Sequence, residues 1–145
     1  MMGQMPTLQE HEARGRELVL REELRDLRDT LGLTRSAMAE LLSMSPVTYT
    51  KCEKPEYSGK MWTTTAERLG RFAWLAEKQL DELSEHGIII DQLMPLPVVA
   101  TVSGLPQELL MKWHRDGVIA TEDLGILGLW IYREDLHLIG EQVSA

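Results

Sequence analysis

Cysteine is almost absent from this 145-residue chain: Cys52 stands alone, so no internal disulfide can form and no thiolate metal set can be assembled. A lone cysteine is more often a small buried hydrophobe than a redox centre, and that reading is the stronger one here. The four histidines, His11, His86, His114 and His137, have no ligand spacing and no paired carboxylates beside them, which leaves neither a metal site nor acid–base machinery. Glycine-rich phosphate loops are missing as well, so no cofactor and no enzymatic activity are expected. No apolar run approaches the roughly 20 residues that a membrane-spanning helix needs. Met1 to Glu12 lacks the charged-then-apolar layout of a signal peptide, and a cytosolic location is expected.

Excess positive charge is the last absence. Fifteen Lys and Arg face 23 Asp and Glu, a net −8 that, as a single number, opposes binding to a phosphate backbone. The distribution matters more. Met1 to Arg71 carries 11 basic and 11 acidic residues and Phe72 to Ala145 carries 4 and 12, so the whole acidic excess lies in the second half. The length and the 43% hydrophobic fraction fit one domain or two very small ones.

What is present begins with a helix start. Thr7-Leu8-Gln9-Glu10 is a capping-box pattern, and only Gly15 interrupts the run to Leu31, so one long helix or two broken near Gly15 are expected. Leu20, Leu24, Leu27 and Leu31 form the apolar stripe. Arg21, Arg25 and Arg28 alternate with Glu22, Asp26 and Asp29 as on a solvated, salt-bridged face, and Gly32 suits a left-handed cap.

Thr34 to Lys54 has the layout of two short helices meeting at a tight turn. Thr34 can cap the first, whose Ala37, Met38, Leu41 and Leu42 recur at spacings of three and four. Ser45 can cap the second, with Pro46 at its first position. Ala39 allows a close crossing, while Met44 and Tyr49 face inward. This is a helix-turn-helix, and the opening turns of its second helix are those that enter a major groove. The segment resembles the Cro-and-repressor family of phage and bacterial regulators, with Thr34, Met38, Ala39, Met44, Ser45, Tyr49 and Glu53 at matching places. Arg35 replaces the usual Gln and keeps a phosphate donor; Ser43 replaces the turn Gly. The resemblance puts base-reading places on Pro46, Val47, Thr48, Thr50 and Lys51. So apolar a helix suggests thymine-methyl contacts from Val47 and Thr48 and a guanine contact from Lys51. Arg35, Ser45, Lys54, Tyr57, Lys60 and Thr63 are the expected backbone donors.

Lys54 to Trp62 reads as a loop, and helix resumes at the Thr63-Thr64-Thr65 caps, running to just before Gly87. Trp62 and Trp74 suit either an aromatic platform or core packing, the latter being the stronger reading. Ile88-Ile89-Ile90 and Met94-Pro95-Leu96-Pro97 mark a stiff boundary. Beyond it come a short helix over Pro97 to Val102, a second from Pro106 through Trp113, a β-hairpin over Val118 to Leu124 and Leu127 to Tyr132, and a final helix from Arg133. Trp113, Asp116-Gly117, Trp130 and Arg133-Glu134-Asp135-Leu136 resemble the winged helix-turn-helix of the excisionase and MerR-type families. That resemblance implies that Gln107, Met111 and Lys112 read bases and Arg115 grips the backbone. Glu122 and Asp123 depart from it, standing where many relatives carry Arg or Lys, which counts against backbone gripping by the hairpin; a wing that is acidic yet apolar at Leu124, Ile126, Leu127 and Leu129 suits a protein contact, or the insertion of its tip alone in a groove.

The expected fold is therefore mainly α: an N-terminal helical bundle with a helix-turn-helix over 1–87, a linker at 88–97, and a small C-terminal α+β winged helix-turn-helix-like domain over 98–145. The size and order of modules resemble the short immunity repressors of temperate phages that infect mycobacteria. The resemblance implies repression that maintains lysogeny. Two unlike modules would read an asymmetric double-stranded DNA operator as a monomer, since a palindrome answers identical subunits. The alternative is an antitoxin or transcriptional co-regulator whose acidic second half binds a protein partner.

Overall fold

The computed structural model describes residues 5–144, with side chains as far as Gly140; Met1 to Gln4 and Ala145 lie outside the described residues. Two compact units divide the chain, Met1–Lys78 and Gln79–Ala145.

The first unit is helical: α1 (Leu8–Leu20), α2 (Glu23–Leu31), α3 (Arg35–Leu41), α4 (Pro46–Cys52), a 3-10 turn at Pro55–Tyr57, and the start of α5 (Thr63–Glu85). Thr7 opens α1 with a reciprocal capping box: its hydroxyl accepts from the Glu10 N–H at 3.1 Å, and the Glu10 carboxylate accepts from the Thr7 N–H at 3.2 Å. Gly15 does not break the helix. It is buried inside α1, where an added Cβ would lie 1.9 Å from the Ala66 carbonyl oxygen of α5. Gly70 of α5 answers it, since a Cβ there would lie 1.9 Å from the His11 carbonyl oxygen. The two glycines let the helix backbones touch.

The break falls instead at Arg21 and Glu22, where Glu22 takes a left-handed conformation with φ 58°. Arg14 spans the break to Glu23 at 3.2 Å. The turn throws Leu20 outward, 60% exposed, while Leu24 and Leu31 join the core with Val19, Met38, Tyr49, Leu69 and Phe72. Each such large apolar side chain contributes about 1.5–3 kcal/mol relative to leaving it in water. Gly32 closes α2 with φ 67°, and Leu33 N–H returns to the Arg28 carbonyl at 3.1 Å.

The second unit joins helices to a three-stranded antiparallel sheet ordered β1-β3-β2, from β1 (Leu93–Pro95), β2 (Thr121–Asp123) and β3 (Leu129–Tyr132). Leu93 faces Tyr132 across one ladder and Asp123 faces Leu129 across the other. The hairpin alone was readable from the sequence pattern; β1 is added from the stretch expected as linker, too short and too proline-rich to signal a strand. Helices α6 (Leu96–Ser103), α7 (Gln107–Arg115) and α8 (Leu136–Ser144) complete the unit. Its core gathers Leu96 and Val99 from α6, Leu110 from α7, Ile131 from β3 and Ile139 from α8 around Ile119. Between β2 and β3 the chain makes a 3-10 turn at Gly125–Leu127, and the buried Trp130 indole donates to the Leu127 carbonyl at 2.9 Å.

Candidate nucleic-acid interface

The α3–α4 pair is built by its caps. The Thr34 hydroxyl accepts from the Ala37 N–H at 3.1 Å, starting α3, and the Ser45 hydroxyl accepts from the Thr48 N–H at 3.1 Å, starting α4 with Pro46 at its first position. Tyr49 and Cys52 are wholly buried, as is Ala39 at the crossing, and Met44 is half-buried. Ser43 carries the turn at φ 55°, a conformation that costs a residue with a Cβ about 1–2 kcal/mol. Arg68 of α5 supports that turn, donating from one guanidinium nitrogen to the Ser43 carbonyl at 3.1 Å and to the Leu42 carbonyl at 3.4 Å. These are carbonyls that the end of α3 leaves without helical partners.

With Tyr49 and Cys52 turned inward, Pro46 with Thr50 and Val47 with Lys51 stand four residues apart on the outward side of α4. All four are exposed, Val47 at 69%, and Thr48 is half-buried. The Thr50 hydroxyl donates back to the Pro46 carbonyl at 2.8 Å, and the Ser45 hydroxyl donates to Thr48 Oγ1 at 3.0 Å. Lys51 is the long cation of this face.

Residues 19–73, which contain this arrangement whole, match the family profile described as a helix-turn-helix domain. The first unit carries a helix-turn-helix domain. No curated protein and no solved structure matches the chain. The matched span runs from the end of α1 into α5, so the domain includes the supports of α4 as well as α4 itself.

Chief among those supports is Glu53, which closes α4. Its carboxylate, 6% exposed, accepts from Arg28 Nε of α2 at 2.6 Å and from Arg35 Nε of α3 at 3.1 Å. Burial opposes its ionisation, but the Arg28 guanidinium, with Arg35 behind it, outweighs burial and holds the carboxyl below the usual glutamate range. Burial pushes the Tyr49 phenol up, and burial, with the Glu53 charge second, pushes the Cys52 thiol up to about 11. Cys52 is thus a protonated packing residue. Arg28, expected on a solvated face, is only 12% exposed and serves this pair and the Leu33 carbonyl at 3.1 Å. Arg35 gives its Nε to Glu53 and keeps its side chain 56% exposed at the start of α3.

The strip after α4 is equally fixed. Arg16 of α1 donates to the Ser58 carbonyl at 2.7 Å and the Met61 carbonyl at 3.2 Å, and Ser58 Oγ donates to the Arg16 carbonyl at 2.7 Å. Lys54, Lys60 and Thr63 are exposed along it, as is Ser45 ahead of α4, and Tyr57 is half-buried. Trp62, expected in the core, is 78% exposed; Trp74 is half-buried, edge-on to His11 at 6.5 Å with Lys78 over its ring. Arg16, Arg68 and the Glu53 pairs escaped sequence reasoning because each joins residues far apart in the chain.

In the second unit, Lys112 and Arg115 are exposed on α7, Gln107 is half-buried, and Met111 is half-buried with its packed side against the core. The Glu122 carboxylate accepts from the Tyr132 hydroxyl across the hairpin, and that bond, with burial and the Glu122 charge, pushes the Tyr132 phenol up to about 12. No group of three His, Cys, Asp or Glu among the described residues is placed to hold a metal ion, and no helix among them is long and apolar enough to cross a membrane.

Lys51→Ala should weaken binding at the cognate base pair by about 1–3 kcal/mol and relax selectivity there. Affinities for duplexes varied one base pair at a time measure this; an equal loss on every sequence would make Lys51 a phosphate contact.

Proposed function

We propose that this chain is a sequence-specific transcriptional repressor of the phage-immunity type, which reads an asymmetric operator through two unlike modules and binds as a monomer. The observation that carries the proposal is the face of α4: Pro46, Val47, Thr50 and Lys51 are exposed together, on a helix held from behind by Glu53 and Arg68. Such a helix approaches base edges with thymine-methyl contacts from Val47 and Thr48 and a guanine contact from Lys51. Arg35, Ser45, Lys54, Tyr57, Lys60 and Thr63 supply the donors that fix its register on the phosphates. The second module adds Lys112 and Arg115, with Gln107 beside them, on the next stretch of duplex. Linking two weak contacts raises affinity through effective concentration. Repression follows from occupying the promoter.

A second reading has its own support. The unit from Gln79 to Ala145 holds 3 basic and 11 acidic residues, against 12 of each in Met1–Lys78, and so carries the whole net charge. Such a surface suits a basic protein partner, as in an antitoxin or co-regulator. The double substitution Lys112→Ala, Arg115→Ala separates the two. A shortened footprint and a shallower salt dependence are expected if α7 meets DNA; an unchanged footprint would assign the second unit to a protein.

A further inference from the structure

Trp62 is the most exposed large apolar side chain among the described residues, whereas Trp130 is buried and Trp74 and Trp113 are half-buried. Its position is fixed rather than slack. Met61 before it is buried and held by Arg16, and the Trp62 carbonyl accepts the Ala66 N–H at 3.0 Å in the first turn of α5. A large aromatic projecting from an immobilised backbone is presented for contact, since it gains nothing from exposure to water.

The surroundings say what it meets. Lys54 and Lys60 are exposed on the strip leading to Trp62, with Glu56 as its one acid, and the exposed hydroxyl residues Thr63 and Thr64 follow. Arg68, one helical turn beyond Thr64 on the same side of α5, reaches the Ser43 carbonyl in the turn that leads into α4. The second turn of α5 thus lies beside the turn that leads into α4.

We infer that Trp62 is a non-ionic DNA contact, its indole lying against the deoxyribose edge of the backbone that flanks the groove read by α4. Lys54 and Lys60 meet the phosphates on either side, and the ring covers the apolar sugar between them. The inference rests on the helix-turn-helix domain being a duplex reader.

Acrylamide quenching of tryptophan fluorescence tests it on the full chain with a duplex selected for tight binding. Free protein should show one readily quenched tryptophan, absent from Trp62→Ala and protected when the duplex saturates the wild type. Trp62→Ala should bind about tenfold more weakly, the effect of leaving one apolar face uncovered, with the slope of log affinity against log salt unchanged because no phosphate neutralisation is lost. Full affinity in Trp62→Ala, or undiminished quenching in a complex that does form, would overturn the inference and leave the duplex reader standing. Protection that rises with protein concentration and no DNA would overturn it in favour of a second copy of the chain. Failure of the wild type to bind any duplex would overturn the underlying reading as well.

Discussion

Gly15→Ala is expected to destabilise the first unit by about 3 kcal/mol, and Gly70→Ala by a similar amount. The sign is informative, because alanine in an unconstrained helix interior is better than glycine by about 1 kcal/mol. Here the new methyl carbon meets backbone: 1.9 Å from the Ala66 carbonyl oxygen and 2.7 Å from its carbon in one case, 1.9 and 2.7 Å from the same atoms of His11 in the other. No rotamer change relieves a clash with a peptide group, so α1 and α5 must part where their backbones meet, beside a core that includes Leu18, Val19, Leu69 and Phe72. Urea unfolding of each variant measures the change. An unchanged or raised midpoint would contradict so close a crossing.

Glu53→Gln is expected to cost about 3 kcal/mol, because it removes the buried counter-ion of the Arg28 guanidinium, 12% exposed, and puts an amide N–H2 where an oxygen accepted; one amide oxygen, the Leu33 carbonyl and the exposed Asp29 at 3.9 Å are what Arg28 keeps. The pair with the exposed Arg35 adds little to that figure. The pH dependence has a definite sense. With the folded carboxyl held below its ordinary range, the stability it supplies is complete above the unfolded value of about 4.3 and is lost as pH falls through the lower folded value. Acid titration of unfolding free energy should show a step in the wild type that Glu53→Gln lacks. A variant as stable as the wild type, with the same acid limb, would mean that the pair does not hold α4.

Local signals in the chain carry most of the helices and little of what orients them. The caps at Thr7, Thr34 and Ser45, the left-handed Gly32 and the proline at the head of α4 act within three or four residues of themselves, and each stands where its chemistry demands. Gly15 misleads because glycine serves both as a helix breaker and as a place for backbones to touch, and only the partner Gly70, 55 positions away, decides which. Glu22 carries no mark of its left-handed turn. Arg28 looks like a surface cation until Glu53, 25 residues downstream, claims it, and the exposed Arg35 gives its Nε to the same carboxylate, 18 residues downstream of it. Trp62 looks like core because a duplex reader seldom needs an aromatic platform. In the second unit the alternation of apolar residues announces the hairpin, whereas β1 is three residues long and declares itself through its pairing with Leu129–Tyr132. The candidate reading face was readable for a simple reason: it consists of what is left over on α4 once Tyr49 and Cys52 are buried.

Selecting tightly bound duplexes from a random pool with the full chain, and sequencing them, tests the central claim most directly. A DNA reader with α4 in the groove and an unlike second module predicts enrichment of one non-palindromic sequence, with selectivity at one position lost in Lys51→Ala. Failure to enrich any sequence, or enrichment of a two-fold symmetric site, would contradict it.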